Sequence, residues 1–372
     1  MIKNIVKVLV FLMIFAVSFI KVSYVLRVQV GEDETYIPTY ILQPKDSIDV
    51  VYIGPSSARR YWAPTEAFGQ YGFTSFSFSS NGMPAQVEKY AIIEALKKQS
   101  PKLVVVDLKP FENAENLDMN TGQMIMFREA YIRNVTDSVY YSLSRMNAIE
   151  NVVPEENHRL NYHFDIAKYH TNLTALVSKD NWAYAFRETV NGNDTTDFGG
   201  FGKIYIGHEI IKKTDNGNIT EELPLSDSLN RIFLDLVSYC ANLDTNVMFI
   251  IPPSSESEEN HQKHNYMNRI LDENGIPFLD CNGVFDEIGM DAEIDFYNNS
   301  HTNIYGAIKY TKWLGQYLKD TYNLPDRRGD SRYTNWDSAY GQWIIEAGKA
   351  EKAVLAKMPK DIQAKVRESR GG

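Results

Sequence analysis

Two stretches of this 372-residue chain hold side chains suited to acyl transfer. Gly54-Pro55-Ser56-Ser57 follows an apolar run, Ser47–Gly54, and precedes residues able to form a helix. Ser56 is therefore expected at a strand-to-helix turn, its hydroxyl above a sheet edge. The amides opening such a helix, at the positive end of its dipole, can hold a developing oxyanion. Taken alone the tetrapeptide is also ordinary turn and N-cap chemistry. The second stretch is Asp295-Phe-Tyr-Asn298-Asn-Ser-His301-Thr-Asn303-Ile-Tyr-Gly306. It places a histidine just before a helix, on what reads as the final loop of the sheet. Asn303 is expected to make structural hydrogen bonds. A serine hydroxyl becomes a nucleophile when a base removes its proton, so Ser56 and His301 gain meaning only together.

Bringing them together requires a sheet. After the first strand a short helix is expected from Arg59 to Phe68, limited by Pro64. Phe73–Phe78 alternates with the strand period, Asn81-Gly82 breaks it, and Pro84 opens a helix that Pro101 stops. Leu103–Asp107 and Asn246–Pro252 read as strands buried on both faces. A helix over Ser255–Asn274, a short strand over Ile276–Asp280 and a helix over Tyr305–Tyr322 complete the alternation. The expected class is α/β, a doubly wound parallel sheet in a three-layer sandwich, with ligands at the carboxyl ends of the strands. Residues from about 110 to 223 form a helical and looped insertion placed to act as a lid. Within it, His163 and His170 are spaced to share a helix face, a weak metal signal without a third ligand nearby.

Composition narrows the class. With 44% hydrophobic and 23% charged residues and no repeat, the chain is neither disordered nor a solenoid. Its 38 lysines and arginines against 48 acidic residues leave a net charge of −10, which argues against a nucleic-acid partner. Cys240 and Cys281 read as two buried thiols. Val8–Ile20 is uncharged and bracketed by Lys3, Lys7, Lys21 and Arg27, so a helix from about Ile5 to Leu26 is long enough to cross a membrane. No small-x-small cleavage site follows, and the expectation is an uncleaved signal anchor with the rest of the chain outside. The expected organisation is an anchor over 1–30, the sheet domain over 31–325, and a linker with a C-terminal helix over 326–372.

Taken with their order and strand context, these residues resemble the SGNH, or GDSL-type, serine hydrolase superfamily over roughly residues 48 to 320. The resemblance implies Ser56 as nucleophile, His301 as base, and the amides of Ser56 and Gly82 as oxyanion donors. More narrowly the chain looks like the membrane-anchored branch near the D-alanyl-teichoic-acid transfer proteins and surface-polysaccharide O-acetyltransferases. There a Gly-Ser-Ser and a late Asp-x-x-His-x-Asn are typical, and the tail Leu324-Pro-Asp-Arg-Arg-Gly-Asp is also similar. Two positions depart from the pattern. The orienting acid three residues before the histidine is Asn298, leaving Asp295 as the carboxylate that would have to replace it. The family's third-block asparagine has no clean counterpart after Asp107, where Lys109 or Asn113 stands nearby.

The activity the resemblance implies is covalent ester chemistry on cell-surface carbohydrate or teichoic polymers, by hydrolysis or transfer, requiring no metal or diffusible cofactor. A membrane acyl-donor protein is a further expected partner. The competing reading is an SGNH-like scaffold that has lost its acid and binds a glycan or an assembly partner, its 12% aromatic residues suiting sugar stacking. A carboxylate on the His301 ring favours the enzyme; its absence favours the binding protein.

Overall fold

A computed structural model describes residues 2–27, 35–112, 122–164, 166–186 and 198–371. Five strands form one parallel sheet in the order β2-β1-β3-β4-β5: β1 (Val50–Gly54), β2 (Ser75–Ser79), β3 (Leu103–Asp107), β4 (Asn246–Ile251) and β5 (Phe278–Asp280). Alternate residues of the strands enter two different cores. Val51, Ile53, Val104, Val106 and Phe249 pack with residues such as Val87, Phe233 and Leu271 on one face. Val50, Tyr52, Leu103, Val105 and Met248 pack with Trp62, Tyr310 and Leu314 on the other. Both faces are dry, which explains why the strands read as continuous apolar runs. This is an α/β doubly wound sheet whose order reverses between β1 and β3, the position at which sheets of this kind receive ligands.

The first helix, α1 (Ile2–Leu26), exposes its apolar side chains from Ile5 to Val17 and is long and apolar enough to span a membrane. Its foot is docked. Tyr24 and Val25 pack with Tyr184 and Ala185 of the insertion, and the Arg27 guanidinium lies beside the stacked rings of Tyr24 and Tyr141 while donating to the carbonyls of Asp137 and Val139. The helices of the insertion between Gly122 and Phe186 thus include those packed at the foot of α1. Its later part lies on the sheet domain: Gly199 accepts from the amide of Ser77 at the β2 edge. His163 and His170 do not share a helix face. One closes a helix at Glu156–His163 and the other follows a separate turn at Ile166–Tyr169, and they bond to Glu150 and to the Ala167 carbonyl respectively.

Around the site, the single helix expected over Arg59–Phe68 is two: α2 (Ser56–Arg60) and α3 (Pro64–Tyr71). Pro64 holds Ala63 in extended backbone, which interrupts α2, and then supplies the first turn of α3. Three further helices pack on the sheet: α4 (Ala85–Ala95), α5 (Asp227–Ala241) and α6 (Glu258–Glu273). A two-stranded antiparallel hairpin, β6 (Phe296–Asn298) with β7 (His301–Thr302), leads into α7 (Ile304–Tyr322). Beyond it the polar stretch after Pro325 is tied down, Arg327 gripping Asp49 through two nitrogens at 2.8 and 3.2 Å. The tail then forms two helices, α8 (Thr334–Leu355) and α9 (Lys360–Gly371), because Pro359 interrupts the run. Trp343 of α8 is fully buried and donates to Glu66 of α3 at 2.7 Å. Cys240 and Cys281 are buried free thiols.

Candidate active site

Ser56 begins α2 directly after β1, and the approach of β3 shapes that turn. A Cβ on Gly54 would stand 2.6 Å from the Cβ of Asp107, so only glycine lets the two strand ends lie this close. Asp107 is fully buried and accepts from the hydroxyl of Ser57; burial pushes its carboxyl up to about 6. Ser57 therefore anchors the turn while its neighbour Ser56 is left for chemistry.

His301 arrives from the other end of the chain, on the hairpin. Ser56 Oγ and His301 Nε2 are 2.7 Å apart, joining residues 245 positions distant in sequence. On the opposite side of the ring, Nδ1 is 3.0 Å from Asn298 Oδ1. That oxygen also accepts from the amide of Ser300 at 2.9 Å, so it cannot be the amide nitrogen of Asn298 that faces the ring. His301 must then donate through Nδ1–H, leaving Nε2 bare to accept from Ser56. Asn298 sets the tautomer a base needs, although it brings no charge.

Asp295 does not replace the missing acid. Its buried carboxylate binds Lys309 at 2.7 Å and the amide of Asp291 at 2.7 Å, while burial pushes it up to about 6. Its role is structural: its carbonyl accepts from the amide of Asn303, whose side chain caps α7 through Tyr305 and bonds the carbonyls of Ile294 and Phe296. Among the described residues no carboxylate is hydrogen-bonded to the His301 ring.

Cations occupy the surroundings. Burial first, then the charges of Lys109, Arg60 and Arg59, hold the pKa of His301 down at about 3. Lys109 Nζ reaches the Ser300 carbonyl at 3.4 Å, so it sits beside the hairpin. Asn113, the other residue considered at this corner, lies outside the described residues. The Arg60 guanidinium lies 3.6 Å over the ring of Tyr205, and Tyr205, Tyr297 and His301 stack in sequence with centroids 5.5 and 5.4 Å apart. Tyr61 fastens the hairpin to the end of β4 by donating to the carbonyls of Pro253 and Ser300.

Gly82 follows β2 in a turn with φ of +56°, a left-handed conformation that suits glycine, and a Cβ there would meet the Tyr131 ring at 2.7 Å. Its neighbour Asn81 is bonded to Arg59 of α2, which ties the Gly82 turn to the helix that begins with Ser56. The residues missed by sequence reasoning are Arg59 and Arg60, visible as a pair immediately after the serines, and Tyr205, for which the sequence holds no signal because the insertion alone brings it to the hairpin.

No family model matches the chain, and no curated protein matches it.

Proposed function

We propose that the chain is a membrane-anchored, extracytoplasmic SGNH-like serine esterase or acyltransferase acting on a cell-surface carbohydrate or teichoic polymer. The observation that carries this reading is the 2.7 Å contact between Ser56 Oγ and a His301 ring whose tautomer is fixed from behind. In the proposed reaction His301 Nε2 takes the Ser56 proton as Oγ attacks an ester carbonyl, and the amides of Ser56 and Gly82 hold the oxyanion. The ester's alkoxide leaves with the proton from His301. Water or a sugar hydroxyl then attacks the acyl-serine, giving its proton to His301, and Ser56 leaves reprotonated.

The electrostatics favour an anionic substrate. With Lys109, Arg60 and Arg59 around it, the imidazolium formed during attack is disfavoured, and Asn298 does not offset that. A phosphate or carboxylate of a polymer bound among these cations would supply the missing negative charge. Among the polymers the resemblance implies, the anionic ones fit best.

Among the described residues no carboxylate is bonded to the His301 ring, which favours a second reading, a binding protein on the same scaffold. A fluorophosphonate probe on the full-length protein in detergent separates the two. The enzyme reading expects labelling at Ser56, loss of labelling in Ser56→Ala, and turnover of a small acetyl ester. No labelling, with no turnover in the wild type or in Asn298→Asp, favours the binding reading instead.

A further inference from the structure

A second cluster of chemically able side chains stands at the carboxyl edge of the sheet, built from three elements. His261 and His264 lie three apart on α6, Glu256 comes from the loop after β4, and Asp280 ends β5. One ligand atom from each can be chosen so that all four lie within 4.8 Å of one another. The set is mixed, two imidazoles and two carboxylates, and all four are buried or half-buried.

The two nitrogens of His264 face different surroundings. Nδ1 meets Glu256 Oε1 at 2.7 Å and Asp280 Oδ2 at 2.9 Å, while Nε2 meets Glu112 Oε1 at 3.1 Å. A ring nitrogen at hydrogen-bond distance from two carboxylate oxygens carries one proton between two anionic acceptors, so the pair calls for more positive charge than a neutral ring supplies. Three carboxylates around one imidazole that is 1% exposed leave negative charge uncompensated even when that ring is protonated. Lys263, the adjacent cation on α6, is engaged elsewhere, on Glu259 and on the backbone carbonyl of Glu112. His261 Nδ1 lies 3.0 Å from the other oxygen of Glu256.

The carboxylates are held in place by neutral donors. Asn216 donates to Glu256 Oε2 at 3.1 Å, and Asn282 donates to Glu256 Oε1 at 3.2 Å and to Asp280 Oδ1 at 2.9 Å. Outer donors of this kind orient metal ligands, and a carboxylate on the far nitrogen of a ligating histidine is a recurrent support. Glu112 has that position on His264.

We propose that His261, His264, Glu256 and Asp280 bind one zinc ion, with His264 ligating through Nδ1 and Glu112 supporting it through Nε2. Zinc accepts two nitrogens and two oxygens in a tetrahedron of bonds about 2.0–2.2 Å long, which sets ligand atoms about 3.4 Å apart; the His264 contacts at 2.7 and 2.9 Å would open slightly to admit it, and the widest pairs, within 4.8 Å, would draw in. The ion replaces the ring proton, which leaves to solvent, and binding accordingly weakens as pH falls. His261 and Asp280, 15% and 17% exposed, are the sides of the cluster nearest solvent. The ion would join α6, β5 and the β4–α6 loop, and Ser255 of that loop donates to the carbonyl of Asn299 in the hairpin turn beside Asn298. This site takes no part in the acyl-transfer reading and stands or falls without it.

The test uses untagged full-length protein in detergent, stripped with EDTA, dialysed, and titrated with zinc alone against a chromophoric chelator, with bound metal counted by mass spectrometry. One equivalent is expected, with a rise in Tm. Glu256→Gln and His264→Gln are each expected to weaken binding at least tenfold and to abolish the Tm rise, while His163→Gln, at a surface histidine, leaves both unchanged. His261→Gln, at the edge of the cluster, tests the site in a folded protein if the buried variants do not fold, and is expected to weaken zinc at least tenfold. No stoichiometric zinc in the wild type overturns the assignment, as does wild-type affinity in His261→Gln.

Discussion

Asn298 Oδ1 accepts a hydrogen bond from His301 at 3.0 Å and so turns the ring's bare nitrogen toward Ser56 without giving the ring a counter-charge. Orientation and charge stabilisation, which one aspartate normally supplies together, are separated here. The orienting half is present, and the cations beside the ring make the missing half matter more.

Asn298→Asp is expected to raise kcat/KM on a small acetyl ester by roughly tenfold or more, since the reverse exchange in a serine protease costs about 10⁴ in kcat. Asp295→Asn, which keeps an acceptor for Lys309, is expected to leave the rate within about threefold. Steady-state kinetics on both variants decide the matter. A large loss in Asp295→Asn with no gain in Asn298→Asp would return the role of acid to Asp295.

The pH dependence should be displaced. A base with its pKa near 3 in the free enzyme stays unprotonated far below the usual histidine range of about 6.5, so kcat/KM is expected to hold down to about pH 5. Lys109→Gln removes the first of the neighbouring cations and should move the acid limb upward. Asp107→Asn tests whether a limb near pH 6 belongs to that carboxyl instead. Stability follows the same sign: a histidine with its pKa depressed in the fold contributes fully above about 6.5 and loses that contribution as pH falls toward 3. Urea midpoints of the wild type between pH 7 and 5 should therefore fall more than those of His301→Gln.

Gly54→Ala is expected to destabilise the fold by about 1–3 kcal/mol, because the new methyl must displace buried Asp107 from the strand end. Chemical unfolding measures this, and fluorophosphonate labelling of the same variant should fall as the Ser56 turn shifts. Wild-type stability would show that the two strand ends separate freely.

Protease added to intact bacterial cells expressing the chain is expected to degrade everything beyond about residue 30 and to spare a short fragment around Val8–Leu26. Full protection would place the sheet domain in the cytoplasm and remove surface polymers from the proposed function.

Much of the frame was legible in the linear pattern. Runs such as Leu103–Asp107, apolar without alternation, announce strands covered on both faces, and an uncharged stretch at Val8–Ile20 announces a helix long and apolar enough to cross a membrane. Ser56 and His301 were legible because each stands beside a strand or helix boundary, and in a parallel sheet such boundaries collect at one edge. These inferences rest on local periodicity and local chemistry, which the sequence by itself determines. What tertiary structure alone decided were relations between residues distant in sequence. Whether Asp295 could replace the acid missing at Asn298 was decided only where Lys309, on the following helix, binds Asp295. Arg60 and Lys109 act on His301 from separate segments, Tyr205 joins them by stacking on Tyr297, and His264 meets Glu112, Glu256 and Asp280 only because β3, β4 and β5 lie side by side. Charge acts through space and falls with distance, so which groups share a pKa or an ion is set by the packing of the elements, and no spacing along the chain encodes it.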